Sequence, residues 1–121
     1  MRRTRYEFKN GVHQPVLTEE NVLREIVWRL WLQAKIKVWR IRERIPGRGA
    51  LSTAGIPDLI GWVPLTGIAV FIEVKRPGGV HRAAQTQFID EARRGGCIAF
   101  FAESWDDVVR ELGAVGIKLQ S

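Results

Sequence analysis

Cysteine is almost missing from this chain of 121 residues; Cys97 is the only one. A single thiol excludes an internal disulfide and any zinc site built from several cysteines. It lies in the apolar run Cys97-Ile98-Ala99-Phe100-Phe101, where it reads as a small core residue. Long hydrophobic runs are missing as well. No stretch approaches the roughly 20 apolar residues that a membrane-spanning helix requires. No apolar segment follows Met1-Arg2-Arg3, so no secretory leader is expected and a reducing, cytoplasmic setting is. Histidine is scarce, and His13 has no metal-ligand partner at a useful spacing. Acidic residues are scarce in one half only. Residues 1–50 hold 12 Lys and Arg against 5 Asp and Glu, whereas residues 51–121 hold 7 against 8. The net charge of +6 therefore comes from the first half, which points to a polyanionic partner such as nucleic acid.

What is present fits one compact domain. Hydrophobic residues make up 45% and charged residues 26%, an ordinary globular balance, while five Trp are many for this length. Residues 1–17 mix charge with Gly11 and Pro15 and show no period, which reads as an extended basic arm. Arg2, Arg3, Arg5 and Lys9 could touch phosphates there. Residues 18–121 read as the domain itself. Residues 18–34 predict a helix: Thr18 suits the N-cap, Glu19 and Glu20 complement the dipole, and Val22, Leu23, Ile26, Val27, Leu30 and Ala34 form a core stripe. Trp28, Trp31 and Leu32 widen the apolar surface beyond that stripe, either for the domain's own packing or for a subunit contact.

Residues 36–42 alternate apolar and basic side chains and predict a strand. Ile36, Val38, Arg40 and Arg42 share one face, and Lys37, Trp39 and Ile41 share the other. Residues 46–55, rich in Gly, form a long loop carrying Arg48, with Arg44 just before it. Residues 58–63 and 68–74 predict two strands joined by the turn at 64–67, hence an antiparallel hairpin, the second strand being apolar on both faces and central. Residues 75–79 form a loop. Residues 81–94 predict a helix with Gln85, Phe88, Ile89 and Ala92 on one stripe. Gly95-Gly96 ends it, and residues 97–102 predict a strand parallel to the one before the helix, because a strand–helix–strand crossover makes it so. Ser104 caps a last helix, with Asp106 and Asp107 as dipole complement. Residues 114–119 suggest a short edge strand.

Asp58 follows a proline at the start of one strand, and Glu73 and Lys75 end the next one on a shared face. Paired strands bring Asp58 to Glu73. Two carboxylates and an ammonium on a sheet can hold a divalent cation and activate a water. Gln85, in the first turn of its helix, can point back at this cluster, or bond to backbone or water. A carboxylate at the start of the first helix can lean over it too. Glu19, set above the core-facing stripe, is preferred over Glu20.

In this order and spacing, the residues resemble a PD-(D/E)XK nuclease. More narrowly, the chain is similar to the VRR-NUC family, the virus-type replication-repair nucleases. The run Gly55-Ile56-Pro57-Asp58, then Ile72-Glu73-Val74-Lys75, then Gly78-Gly79, then Gln85, then Gly95-Gly96 carries the resemblance, with Glu19 before Val22-Leu23. It covers about residues 18–112. It departs from the family in a long first helix, a long loop after Ile45, and two glutamates where the pattern needs one. The resemblance implies an α/β, restriction-endonuclease-like core: a mixed four-stranded sheet, antiparallel meander plus parallel strand, flanked by helices in the order α-β-β-β-α-β-α.

The resemblance also implies an activity, metal-dependent cleavage of DNA phosphodiester bonds. Asp58, Glu73 and the backbone carbonyl of Val74 would bind Mg²⁺ or Mn²⁺, with Glu19 (or Glu20) at a second metal or a metal-bound water. Lys75 would orient the attacking water, offset phosphate charge or act as base, and Gln85 would hold Lys75 or the substrate. Arg40, Arg42, Arg44, Arg48 and Arg76 would contact the DNA backbone. Small single-domain members of the family tend to be homodimers acting on branched DNA such as four-way junctions. The competing expectation is a basic nucleic-acid-binding module that kept the fold without the chemistry.

Overall fold

The structure, a computed structural model, describes residues 6–9, 11–15, 18–41 and 55–121, with backbone pairing alone for 6–9 and 12–15. Arg42, Arg44, Arg48 and most of the loop at 46–55 lie outside the described residues, as do Arg2, Arg3 and Arg5.

The elements run β1 (Tyr6–Lys9), β2 (Val12–Pro15), α1 (Glu19–Ala34), β3 (Val38–Arg40), β4 (Leu59–Trp62), β5 (Ala69–Val74), α2 (Ala83–Arg94), β6 (Ile98–Ala102) and α3 (Trp105–Ala114). From α1 onward this is the α-β-β-β-α-β-α order that the sequence predicts. The four-stranded sheet has the order β3-β4-β5-β6. β3 pairs β4 and β4 pairs β5 antiparallel, while β5 pairs β6 parallel. β5 is central, and its two apolar faces reflect helices on both sides.

Alternation along the strands sorts the residues. Val38, Leu59, Val70, Ile72, Val74, Phe100 and Ala102 turn to one face and are buried with Val22, Leu23, Ile26 and Leu30 of α1 and with Trp105, Val108 and Leu112 of α3. Phe71, on the other face, meets Phe88 of α2 edge-on at 5.1 Å, and Ile89 is buried there. α1 starts as expected: Thr18 Oγ1 accepts from the Asn21 amide at 3.2 Å. It ends at Lys35, whose left-handed φ of 54° lets its amide return to the Leu30 and Trp31 carbonyls.

Two parts differ from the sequence expectation. Residues within 1–17 form a hairpin, with Tyr6 opposite Pro15 and Lys9 opposite Val12. The two residues between the strands are Asn10-Gly11, a strong short-hairpin sequence, and Gly11 takes φ +77°. Tyr6-Glu7-Phe8-Lys9 alternates over four residues only and Val12-His13-Gln14-Pro15 does not, which is why the segment reads as an arm. At the other end, residues 114–119 add no edge strand. The tail is instead fastened by side chains. Gln33 accepts from the Gln120 amide at 2.7 Å and donates to its carbonyl at 3.0 Å, and Trp105 Nε1 donates to that carbonyl at 2.7 Å.

Candidate active site

The site forms where β4 begins and β5 ends. Leu59 is opposite Ile72, and the same register carried one residue beyond the ladder would set Asp58 opposite Glu73. Asp58 Oδ2 accepts from the Val74 amide at 2.9 Å, so the carboxylate is fixed by the strand it faces. Gly55 and Pro57 shape this approach. Gly55 has φ +89°, and a Cβ there would run into the Ala84 carbonyl in the first turn of α2. The glycine thus lets the Asp58 segment lie directly against the helix that carries Gln85. Pro57 is fully buried.

Glu73 and Lys75 are both buried, at 4% and 7% exposure. Lys75 Nζ stands 3.7 Å from Glu73 Oε1, and Gln85 Nε2 donates to the same oxygen at 3.2 Å. Buried charges persist when they are paired and hydrogen-bonded, and here an ammonium and an amide serve one carboxylate oxygen. The backbone on either side is held by pairing: the Lys75 amide donates to the Ala102 carbonyl at 2.9 Å. Gln85 has a second task. Its Oε1 accepts from the Arg82 amide at 3.1 Å, closing the start of α2. The sequence left this residue between a helix-start role and a site role; it has both. Its partner is Glu73, where Lys75 or substrate was expected.

The two glutamates of α1 separate. Glu20 accepts from Arg40 at 2.9 Å and lies 3.5 Å from Arg24. Glu19 is exposed at the first residue of the helix. Neither joins Asp58 and Glu73: among the described residues, no three His, Cys, Asp or Glu side chains gather into a group able to hold a metal ion. The Glu20 pair nonetheless ties the start of α1 to the end of β3. The Ile41 amide, one residue on, donates to the Asp58 carbonyl at 2.8 Å. The start of α1 and the carboxylate pair therefore share one end of the sheet. Of the expected phosphate contacts, Arg40 is engaged with Glu20 and Arg76 is exposed just beyond Lys75.

Two aromatic pairs beside the site escaped the sequence reading. His81 lies flat on Phe101, ring centroids 4.0 Å apart, and Phe101 is opposite Glu73 in the ladder. Trp39 stacks on Trp62 at 4.9 Å. Trp39 is opposite Ile60, so Trp62 is its diagonal neighbour, a spacing that large side chains can bridge. That signal becomes visible only when the strand register is known.

A mixed sheet with an Asp at the start of one strand, a Glu-x-Lys at the end of the next and a helix-borne Gln on the same carboxylate defines a nuclease-type domain. The VRR-NUC domain model matches residues 3–105, and the chain belongs to that family. The match starts within the segment that reads as an arm and takes in the β1–β2 hairpin. No match was found among curated proteins or among solved structures. Among the described residues, no helix is long and apolar enough to cross a membrane.

Proposed function

We propose that this nuclease-type domain is a metal-dependent DNA endonuclease, selective for branched DNA and acting as a homodimer. The observation that carries the reading is Asp58 held at 2.9 Å by the amide of Val74, the residue next in sequence to buried Glu73, with Lys75 Nζ at 3.7 Å from Glu73. Asp58, Glu73 and the Val74 carbonyl are hard oxygen donors. Two carboxylates and a carbonyl suit Mg²⁺ or Mn²⁺, since Mg²⁺ keeps several waters and needs one or two carboxylates from the protein. Such an ion, when bound, polarises the phosphate and lowers the pKa of a water.

The remaining roles belong to the chain. Lys75 directs its ammonium at the water or at the phosphate oxygen that gains charge. Gln85 fixes the Glu73 carboxylate so that its direction is set before substrate arrives. Glu19 is the α1 carboxylate we assign to the site, because Glu20 is committed to Arg40 and Arg24. Arg76 and the basic loop residues Arg42, Arg44 and Arg48 supply backbone contacts that weaken as salt rises.

The dimer reading is supported by α1. Trp28, Trp31 and Leu32 are exposed, and the first two help line a groove of about 640 Å³ between α1 and the edge strand β3. Exposed apolar surface of this kind favours a partner. A two-fold pair would carry two sites, which matches paired cuts in a branched duplex.

The test is incubation of labelled single-stranded, duplex, flap and four-way-junction DNA with Mg²⁺, with Mn²⁺ and with chelator. Metal-dependent cleavage lost in Asp58→Ala and Lys75→Ala is the expected result. Binding without cleavage in either metal would instead identify a non-catalytic nucleic-acid module. Light scattering at micromolar concentration reads the oligomer, and a monomer there would remove the dimer from the proposal.

A further inference from the structure

The face of the sheet that carries Asp58 continues along β4 through Ile60 to Trp62, because side chains alternate. α2 covers this face over β5, through Phe88 on Phe71. Among the described residues, no helix covers the face over β3 and β4. Trp39 and Trp62 stack there with their planes 25° apart, and they remain 40% and 53% exposed. A hollow of about 450 Å³ adjoins them, lined by Trp39, Ile60, Trp62 and Ala69 with Gly61 and Gly67. The Lys37 ammonium stands 5.2 Å from the Trp39 ring centre.

From this geometry we propose that Trp39 and Trp62 form a stacking platform for one unstacked nucleobase of the DNA strand held at the active site. The inference rests on the nuclease reading of that site and names the form of DNA it grips. Every nucleobase offers a flat π-face, so a base can lie on an exposed indole whatever its identity. Four residues of extended strand separate Asp58 from Trp62, about 13 Å, so the platform and the cutting site can engage one strand together. A base inside a continuous duplex has no free face to offer. The platform therefore favours frayed, flapped or branched DNA.

A protein partner fits this surface less well. The apolar groove that suits a second copy lies at α1, beside Val38 and Leu23, on the opposite face of the sheet. The Trp39–Trp62 face is instead continuous with the carboxylates that would act on phosphate.

The experiment is equilibrium binding of an end-labelled short oligothymidine, and of its duplex with oligoadenine, by fluorescence anisotropy in chelator. The proteins compared are the wild type, Trp62→Ala and Trp62→Phe. Losing one stacked base costs about 5- to 150-fold in affinity, so Trp62→Ala should weaken oligothymidine binding within that range. Its duplex binding should change much less. Trp62→Phe, which keeps a π-face, should recover most of the loss. Oligothymidine should also quench wild-type tryptophan fluorescence more than that of Trp62→Ala. Circular dichroism confirms that the variants are folded. Equal oligothymidine binding by folded Trp62→Ala and wild type would overturn the platform, as would equal losses on single strand and duplex. Dissociation of a wild-type dimer by Trp62→Ala would assign this face to protein contact and overturn it too. Because chelator prevents metal-dependent cleavage, binding is read independently. A stacking preference without cleavage in the Mg²⁺ and Mn²⁺ panel would retain the platform and reject the endonuclease.

Discussion

Gln85 donates to Glu73 Oε1 across 3.2 Å with one end of its amide while the other end accepts from the Arg82 amide at 3.1 Å. One side chain thus joins the start of a helix to a buried carboxylate of the sheet. The two functions can be separated. Gln85→Glu keeps an oxygen for the helix start and loses the donor to Glu73, whereas Gln85→Ala loses both. Cleavage should fall roughly 10- to 100-fold in each, as for other residues that orient a ligating carboxylate. Gln85→Ala should also lose about 1 kcal/mol of stability through the helix start, and Gln85→Glu should lose stability by setting a second carboxylate against the buried Glu73. Denaturant titration alongside cleavage rates checks both halves.

Lys75→Met should leave the Glu73 carboxylate buried beside an apolar chain. The expected loss is about 3 kcal/mol, the low end for a broken buried pair, since 3.7 Å is long for an ion pair. Adding Glu73→Gln to Lys75→Met should restore part of that stability while activity stays absent. Chemical unfolding of the two variants makes the comparison. A double variant no more stable than Lys75→Met would contradict the coupling.

Gly55→Ala forces a side chain into a positive-φ position and against the Ala84 carbonyl. A strained backbone of this kind costs about 1–3 kcal/mol. The clash acts between Asp58 and Gln85, so cleavage should fall along with the melting temperature. Calorimetry and the cleavage assay together test this. Gly78, which also has positive φ but open space around it, should lose stability on substitution by alanine without that steric contribution.

The two α1 glutamates make opposite predictions. Glu20→Gln loosens a pair with Arg40 whose side chains are 28% and 54% exposed. Exposed pairs contribute about 0–1 kcal/mol, so stability and cleavage should change little. Glu19→Gln should slow cleavage at least tenfold at low Mg²⁺ if it completes the site as proposed. Rates measured over a Mg²⁺ titration distinguish the two, and the reverse order would reassign the role to Glu20.

Much of this molecule is visible in its sequence because a few local rules agree. The alternation of Glu73 and Lys75, the short turn before β5 and the proline ahead of Asp58 each imply the hairpin that sets the site. The stripe of α1 and its Thr18 cap give the helix to within one residue. What escaped depends on partners distant in sequence. Nothing near Arg40 announces that Glu20 will hold it, and nothing near Gln33 announces the tail at Gln120. The β1–β2 hairpin escaped for another reason: the alternation in Tyr6-Glu7-Phe8-Lys9 spans only four residues, and Val12-His13-Gln14-Pro15 shows none. Trp39 and Trp62 each read as an ordinary apolar residue until the ladder sets them on one diagonal.

The position of β5 between an antiparallel and a parallel neighbour has a consequence for how the sequence can vary. Its last two residues and Lys75 just after it present carboxylate, methyl groups and ammonium to alternating sides, so the site is encoded as a parity. Loss of one residue inside the strand would turn Glu73 and Lys75 toward the α1 side and Val74 toward the α2 side. The turn at 64–67, exposed throughout, can absorb a change in length with the parity intact. Insertions are thus tolerable a few residues from the chemistry, whereas within the strand even a single-residue deletion would erase the site while sparing most of the hydrophobic composition.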